Sequence, residues 1–348
     1  MSRTGGTLTT VPMNRESKLI ARITATVRRA GVPTGRTGLR LGIGDDAALF
    51  APRPGCEVVV STDFFNEGTH FFAKLQPAES VGYKSIARAV SDLSAMGAVS
   101  GYFLISLALP ESKTGIWFDD YFRGVGEAAK KSRMFLIGGD LAKSKRVSIS
   151  VTAIGFVPLG KAVRRSGARP GDLIYVSGRL GGARLGLEIL RKGYRSAAGA
   201  SQLLAPEFYP PIRLALAKWI LSERMASAMM DISDGLSIDL SRLCEASRVG
   251  ARIEAERIPR AKVSAAWRRR LRLNSVASLE YALHGGDDYE LLFTVRPHQK
   301  HKLRAVHQGV PLTRIGTITR EAGVVLSDAD GHLTPLEAKG WDHFGGRD

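Results

Sequence analysis

The residues in this chain best suited to chemistry are acids set beside glycine or serine and against apolar runs. Gly42-Ile43-Gly44-Asp45-Asp46-Ala47 places two adjacent carboxylates after two glycines. Ser61-Thr62-Asp63 closes an apolar run, with Glu67-Gly68-Thr69-His70-Phe71 just beyond it. Asp92 lies in Ser91-Asp92-Leu93-Ser94, Asp140 in Ile137-Gly138-Gly139-Asp140, and Asp231 and Asp234 in Asp231-Ile232-Ser233-Asp234-Gly235, with Asp239 beyond. Asp287 and Asp288 follow Gly285-Gly286. Oxygen ligands of this kind suit hard cations such as Mg²⁺, which usually keep several waters. One acidic pair alone reads as a solvated turn; the recurrence argues for a site. Like charges in such number share a cleft only when cations neutralise them, as Mg²⁺ on a nucleotide's phosphates does. Phosphoryl transfer fits, because it asks for positioning and charge stabilisation more than for covalent chemistry. Arg164, Arg165 and Lys143 can supply positive charge. His70, taken alone, reads as a packed histidine before a base or a substrate donor.

The elements that must position these acids alternate between helix and strand. Residues 16–30 form an amphipathic helix with Leu19, Ile20, Ile23 and Val27 on one face, stopped by Gly31 and Pro33. Runs 39–50, 57–61 and 69–72 are strand-like. A helix over 78–96 turns Val81, Ile86, Val90 and Leu93 to the core; beside them Gly82, Ser85, Ala89 and Asp92 make a stripe of small residues closing in an acid. Strand 102–109, helix 117–131, strand 134–137 running into Gly138 and strand 147–157 complete the first half. Pro, Gly and charge over 158–172 mark a domain boundary, giving a flexible tail over 1–15 and domains over 16–157 and 158–348.

The second half restarts with strand 173–177, a turn at Gly178, Gly181 and Gly182, and helix 183–191. That helix's amino end is a plausible anion site, although a plain tight turn explains it equally and no Walker A or Gly-x-Gly-x-x-Gly pattern is present. A proline-started helix is expected over 206–223. A short strand ends at Asp231, with Ser233 or Asp234 capping a helix to about 246. Strand 251–253, helix 260–272 and strands 291–295, 314–318 and 324–326 follow, an α/β layered plan.

The 348 residues are 44% hydrophobic and 24% charged, as in an ordinary globular protein. No apolar run reaches the ~18 residues of a membrane span, and residues 1–11 lack the apolar core of a signal peptide. Cys56 and Cys244 make neither a metal-binding spacing nor a disulfide framework, which fits a cytoplasmic location. The net charge of +17 raises nucleic acid as a partner. The basic residues are scattered apart from Arg268-Arg269-Arg270 with Arg272, which reads as a solvated helix face, so no specific nucleic-acid binding is expected. A positive field also draws in phosphorylated substrates.

As a set and in order, from about Glu16 to Phe344, these motifs resemble the thiamine-monophosphate kinase family. Arg165-Ser166-Gly167-Ala168-Arg169-Pro170-Gly171-Asp172 and the closing Gly340-Trp341-Asp342-His343-Phe344 belong to the same set. The resemblance implies the two-domain α/β fold of the aminoimidazole ribonucleotide synthetase superfamily. It further implies a homodimer whose N-terminal domains pair into a β-barrel, and a C-terminal α/β domain. It implies ATP- and Mg²⁺-dependent conversion of thiamine monophosphate to thiamine diphosphate by direct transfer, the last step of thiamine diphosphate synthesis. Carried over by motif, the metal ligands are Asp46, Ser61, Thr62, Asp63, Asp92, Asp140, Asp231 and Asp234. The nucleotide contacts are Gly139, Asp140, Arg165 and Ser233, and the substrate contacts His70, Asp287 and Trp341. Three places depart from the family pattern: Leu141-Ala142-Lys143 after the Gly-Gly-Asp, Phe64-Phe65-Asn66 before Glu67, and Asp287 where Glu is also common. Related enzymes of the superfamily that form selenophosphate or mature hydrogenases use a cysteine near one terminus, and Cys56 and Cys244 sit in neither place. A binder without catalysis would not need the intact acid set.

Overall fold

The structure, a computed structural model, describes residues 15–29 and 38–341. The expected tail, the helix stop at Gly31 and Pro33, and the last residues of the closing motif lie outside them. Helix α1 (Arg15–Arg29) buries Ile23 and packs on the first half. The 39–50 run, expected as one strand, is a hairpin of β1 (Leu39–Leu41) and β2 (Leu49–Phe50). Its turn carries the Asp45-Asp46 pair, and Asp45 Oδ1 accepts the Asp46 N–H at 2.9 Å. Strand β3 (Cys56–Asn66) extends beyond the expected 57–61 and takes Ser61-Thr62-Asp63 into the strand itself. The expected strand over 69–72 is a turn, because the His70 N–H donates to Asn66 O and the Gly68 N–H to Phe71 O, closing the chain on itself.

Helix α2 (Ala78–Ala95), β4 (Val99–Leu109), α3 (Ile116–Ser132), β5 (Phe135–Lys143) and β6 (Ser148–Pro158) complete this half. Its four-stranded sheet has the order β3-β6-β4-β5. It is open, with β3 and β5 at opposite edges; closure into a barrel needs strands from elsewhere. Helices α2 and α3 cover one face at very close range. A Cβ on Gly82 would lie 1.9 Å from Tyr121 O, and one on Gly124 1.8 Å from Glu79 O. The small-residue stripe of α2 is thus a helix–helix contact at one end, with Asp92 emerging at the other. Strand alternation sends Val59, Ser61, Asp63 and Phe65 towards α2. It leaves Val58, Val60 and Phe64 on the opposite face at 43%, 59% and 65% exposure.

The second half contains β7 (Leu173–Ser177), α4 (Gly182–Arg191), α5 (Ala200–Phe208), α6 (Leu214–Ser222) and β8 (Ala226–Ile232). It continues with α7 (Leu236–Ser247), β9 (Gly250–Glu254), α8 (Ala265–Leu271), α9 (Ser275–His284) and β10 (Glu290–Val295). Strands β11 (Val306–His307), β12 (Val310–Thr319), β13 (Gly323–Ser327) and β14 (Leu333–Pro335) end it. The sheet order is β14-β13-β9-β12-β7-β10-β8, with β11 on β12. Its pairs are antiparallel except β9 with β13. The helix expected over 206–223 is two helices, since Pro210 and Pro211 supply no N–H between them. The helix expected over 260–272 is only the short α8, which Ser264 caps by accepting the Trp267 N–H. Helix α2 also packs against α5, α6, β8 and β10, so one element serves both halves. Among the described residues no helix is long and apolar enough to cross a membrane.

Candidate active site

Two consecutive residues at the end of α2 face two different sheets. Ser61 of β3 donates its hydroxyl to Asp92 Oδ2. Ser91 donates to Asp231 Oδ2 on β8 at 2.7 Å. Acids from both halves therefore meet around one helix, and their crowding shifts their pKa values. Burial, together with the charges of Asp92, Asp287 and Asp234 and against that of Arg88, pushes Asp63 up to about 6. Burial, then Asp92, Asp239 and Asp63, pushes Asp231 up to about 7 against the Ser91 hydrogen bond.

The β8–α7 turn is built by a residue whose role the sequence left open. Asp239 Oδ2 accepts the N–H groups of Ser233, Asp234 and Gly235 at 3.0, 3.0 and 3.1 Å. The expected caps Ser233 and Asp234 do not cap α7; Gly235 holds that position without a side-chain cap. Asp234 pairs with Arg242. The Gly-Gly-Asp-Asp segment divides its two acids. Asp288 accepts the N–H groups of Gly181 and Gly182 at 2.6 and 3.1 Å. It thereby fills the end of α4 that reads from sequence as an anion site. Asp287, with φ of +67°, hangs from the same turn by its N–H to Ser233 O at 2.7 Å. Its carboxylate meets Lys84 Nζ at 2.9 Å, Arg88 Nη1 at 3.2 Å and the Tyr289 hydroxyl. Burial opposes ionisation there, yet Lys84 and Arg88 hold the carboxyl down at about 2.

On the other flank, the His70 and Trp341 rings lie 6.2 Å apart, and the Phe65 ring lies tilted 6.0 Å from His70. His70 Nδ1 accepts the Asn66 N–H at 3.0 Å, and the Trp341 N–H donates to Asp234 O at 3.0 Å. The rest of the expected set is more dispersed. Asp46 is exposed on the β1–β2 turn, and Asp140 is exposed on edge strand β5 opposite Ser106. Gly139 is required where it stands, since a Cβ would lie 1.9 Å from Ile105 O. Thr62 faces away from Ser61 and Asp63, 3.1 Å from the Thr152 hydroxyl. Arg165 is exposed in the connection between the halves, its carbonyl accepting from the Ser247 hydroxyl. Lys143, considered for the positive side, pairs with Glu111 at 2.9 Å on the surface.

The positive groups that the site does contain lie outside the acid motifs, on α2. Lys84 is 1% exposed and bridges Asp287 and Glu207, the latter at 2.8 Å. Arg88 lies one turn on. Lys84, Arg88 and Asp92 recur every four residues on α2, a charged line through an otherwise buried helix. That spacing was the available signal. Beside the Glu67–Phe72 turn an open cavity of about 500 Å³ is rimmed by Lys74, Lys113, Lys145 and Arg146.

Residues 44–157 match the family model of the AIR synthase related protein, N-terminal domain, and residues 169–328 that of its C-terminal domain. The thiamine-monophosphate kinase of Escherichia coli strain K12 is 36% identical over 333 residues, covering 94% of this chain and 98% of that protein. The crystal structure of thiamine-monophosphate kinase from Stenotrophomonas maltophilia K279a is similar with a TM-score of 0.79 at 36% identity, covering 90% of this chain and 97% of that one. The structure of AaThiL complexed with AMPPCP and TMP is similar with a TM-score of 0.75 at 32% identity, covering 97% and 100%.

Proposed function

This chain belongs to the thiamine-monophosphate kinase family, with the two-domain α/β fold of AIR synthase related proteins, and from that premise we propose how its site works. The enzyme phosphorylates thiamine monophosphate with ATP, forming thiamine diphosphate. The observation that carries the mechanism is the meeting of Asp63 and Asp92 with Asp231 across α2. Burial and the charge of Asp92 raise the pKa of both Asp63 and Asp231, an arrangement that fits a hard divalent cation whose charge would relieve the repulsion. Asp63, Asp92 and Asp231 would hold Mg²⁺, with Ser61 and Asp234 as further ligands; Asp46, Thr62 and Asp140, set on the β1–β2 turn, the other face of β3 and edge strand β5, would serve ions outside that cluster. When bound, the ions offset the charge of the transferring phosphoryl group. Gly139, Asp140, Arg165 and Ser233 face the nucleotide; His70, Asp287 and Trp341 face the acceptor. A phosphate oxygen of thiamine monophosphate attacks the γ-phosphorus, the new P–O bond forms as the bond to the β-phosphate oxygen breaks, and ADP leaves. No side-chain nucleophile takes part.

Residues 16–157 and 158–348 are the working units, in a cytoplasmic enzyme. A homodimer joined through the face carrying Val58, Val60 and Phe64 would close the open sheet into a barrel. The assay is incubation of purified protein with ATP, Mg²⁺ and thiamine monophosphate, followed by separation of products. Thiamine diphosphate is expected. Phosphorylation of free thiamine without thiamine diphosphate would overturn the reading.

A further inference from the structure

Among the described residues, Arg88 lies between the acid cluster and the acceptor side with its Nε unspent. Its side chain is 12% exposed. The guanidinium sits 5.2 Å from the Phe65 ring centre and 5.8 Å from that of Tyr289, so aromatic faces fix its plane. Nη1 donates to Asp287, whereas Nε is buried and meets no hydrogen-bond partner among the described residues. A buried donor left in that state costs stability unless a ligand completes it. The neighbouring Lys84 cannot serve a ligand in the same way, since Glu207 and Asp287 both engage its amine.

We propose that Arg88 binds the phosphate of thiamine monophosphate and that Asp287 is a positioning residue acting through it. The proposal rests on the kinase reading above. A planar, permanently charged fork suits a phosphate monoester. Position selects the acceptor over the nucleotide. Phe65 lies against both Arg88 and His70, and His70 faces Trp341. Of the expected nucleotide residues, Gly139 and Asp140 sit on β5, at the opposite sheet edge from β3, and Ser233 reaches Asp287 only through its backbone carbonyl. Asp287 accepts from Lys84, Arg88 and Tyr289 together, so its carboxylate is committed to holding the guanidinium. In the transfer step, Arg88 then offsets the negative charge of the attacking phosphate as it nears the γ-phosphoryl group; no proton or electron moves through it.

The test compares Arg88→Met and Arg88→Lys with the wild type by equilibrium titration with thiamine monophosphate, free thiamine and a non-hydrolysable ATP analogue, without turnover. Arg88→Met should weaken thiamine monophosphate by roughly 10–100-fold, the worth of a lost charge-assisted pair. Free thiamine and the ATP analogue should stay within about 3-fold, a difference too small to count as a lost contact. Arg88→Lys should recover part of the loss, and it carries the test alone if the Met variant fails to fold. Unchanged thiamine monophosphate affinity in either variant, or equal loss for thiamine and its phosphate, would overturn the proposal. If the wild type itself does not prefer the phosphate over thiamine, the kinase reading fails and this proposal falls with it.

Discussion

Desolvation pushes half-buried Asp63 up to about 6 and buried Asp231 up to about 7. A carboxyl whose folded pKa lies above its unfolded one favours folding fully at pH below about 4, and that favour is lost as pH rises through the folded value. In chelator, the melting temperature should therefore fall between about pH 4 and pH 7, and Asp231→Asn should flatten the fall. Differential scanning calorimetry across that range checks it; a wild-type curve as flat as the variant's would contradict it. Replacing Asp92 by Asn should lower kcat by about 10²–10³ without loss of fold, the effect of removing one preorganised charged group. Glu188→Gln on α4 should change little, because its partners Arg184 and Arg191 are surface arginines. Near-normal kcat in Asp92→Asn would place that acid outside the chemistry.

At the scale of elements, α2 does most of the positioning. Its contact with α3 leaves no room at Gly82 or Gly124. Gly82→Ala should destabilise by at least about 2 kcal/mol, as overpacking does, and denaturant titration would register it as a lower midpoint. This helix was legible in the sequence because its apolar spacing and the terminal Gly97 agree. Strand β5 was legible only over its start, 134–137; its continuation through Gly138-Gly139 reads as a turn, and only the close passage over Ile105 explains the glycine within a strand. Pro210 and Pro211 broke a helix that apolar pattern alone had joined. In the site, the pairing of Asp63, Asp92 and Asp231 was foreseeable only as a motif set, because which strands adjoin α2 is a matter of topology. Asp239 and Asp288 turned out to hold loop N–H groups, a role that residue type cannot distinguish from ligation. Arg88 escaped notice because a lone arginine on a helix normally reads as solvent-facing.

For the whole molecule, the open sheet is the unfinished feature. Val58, Val60 and Phe64 expose apolar surface on one face of edge strand β3, where an unpaired edge and an uncovered face invite a partner. Light scattering is expected to give a dimer, and Val60→Asp with Phe64→Asp should yield monomers. A wild-type monomer across a wide concentration range would remove the assembly.

Helix α2 has a further consequence. Ser91 ties it to β8 and Lys84 ties it to Glu207 of α5, while its other face is locked against α3. The halves thus share a spindle rather than a hinge. They cannot open like jaws without stripping a buried ammonium from its carboxylates. Traffic in and out of the site must instead pass the rim, where the His70 turn and the Trp341 segment meet.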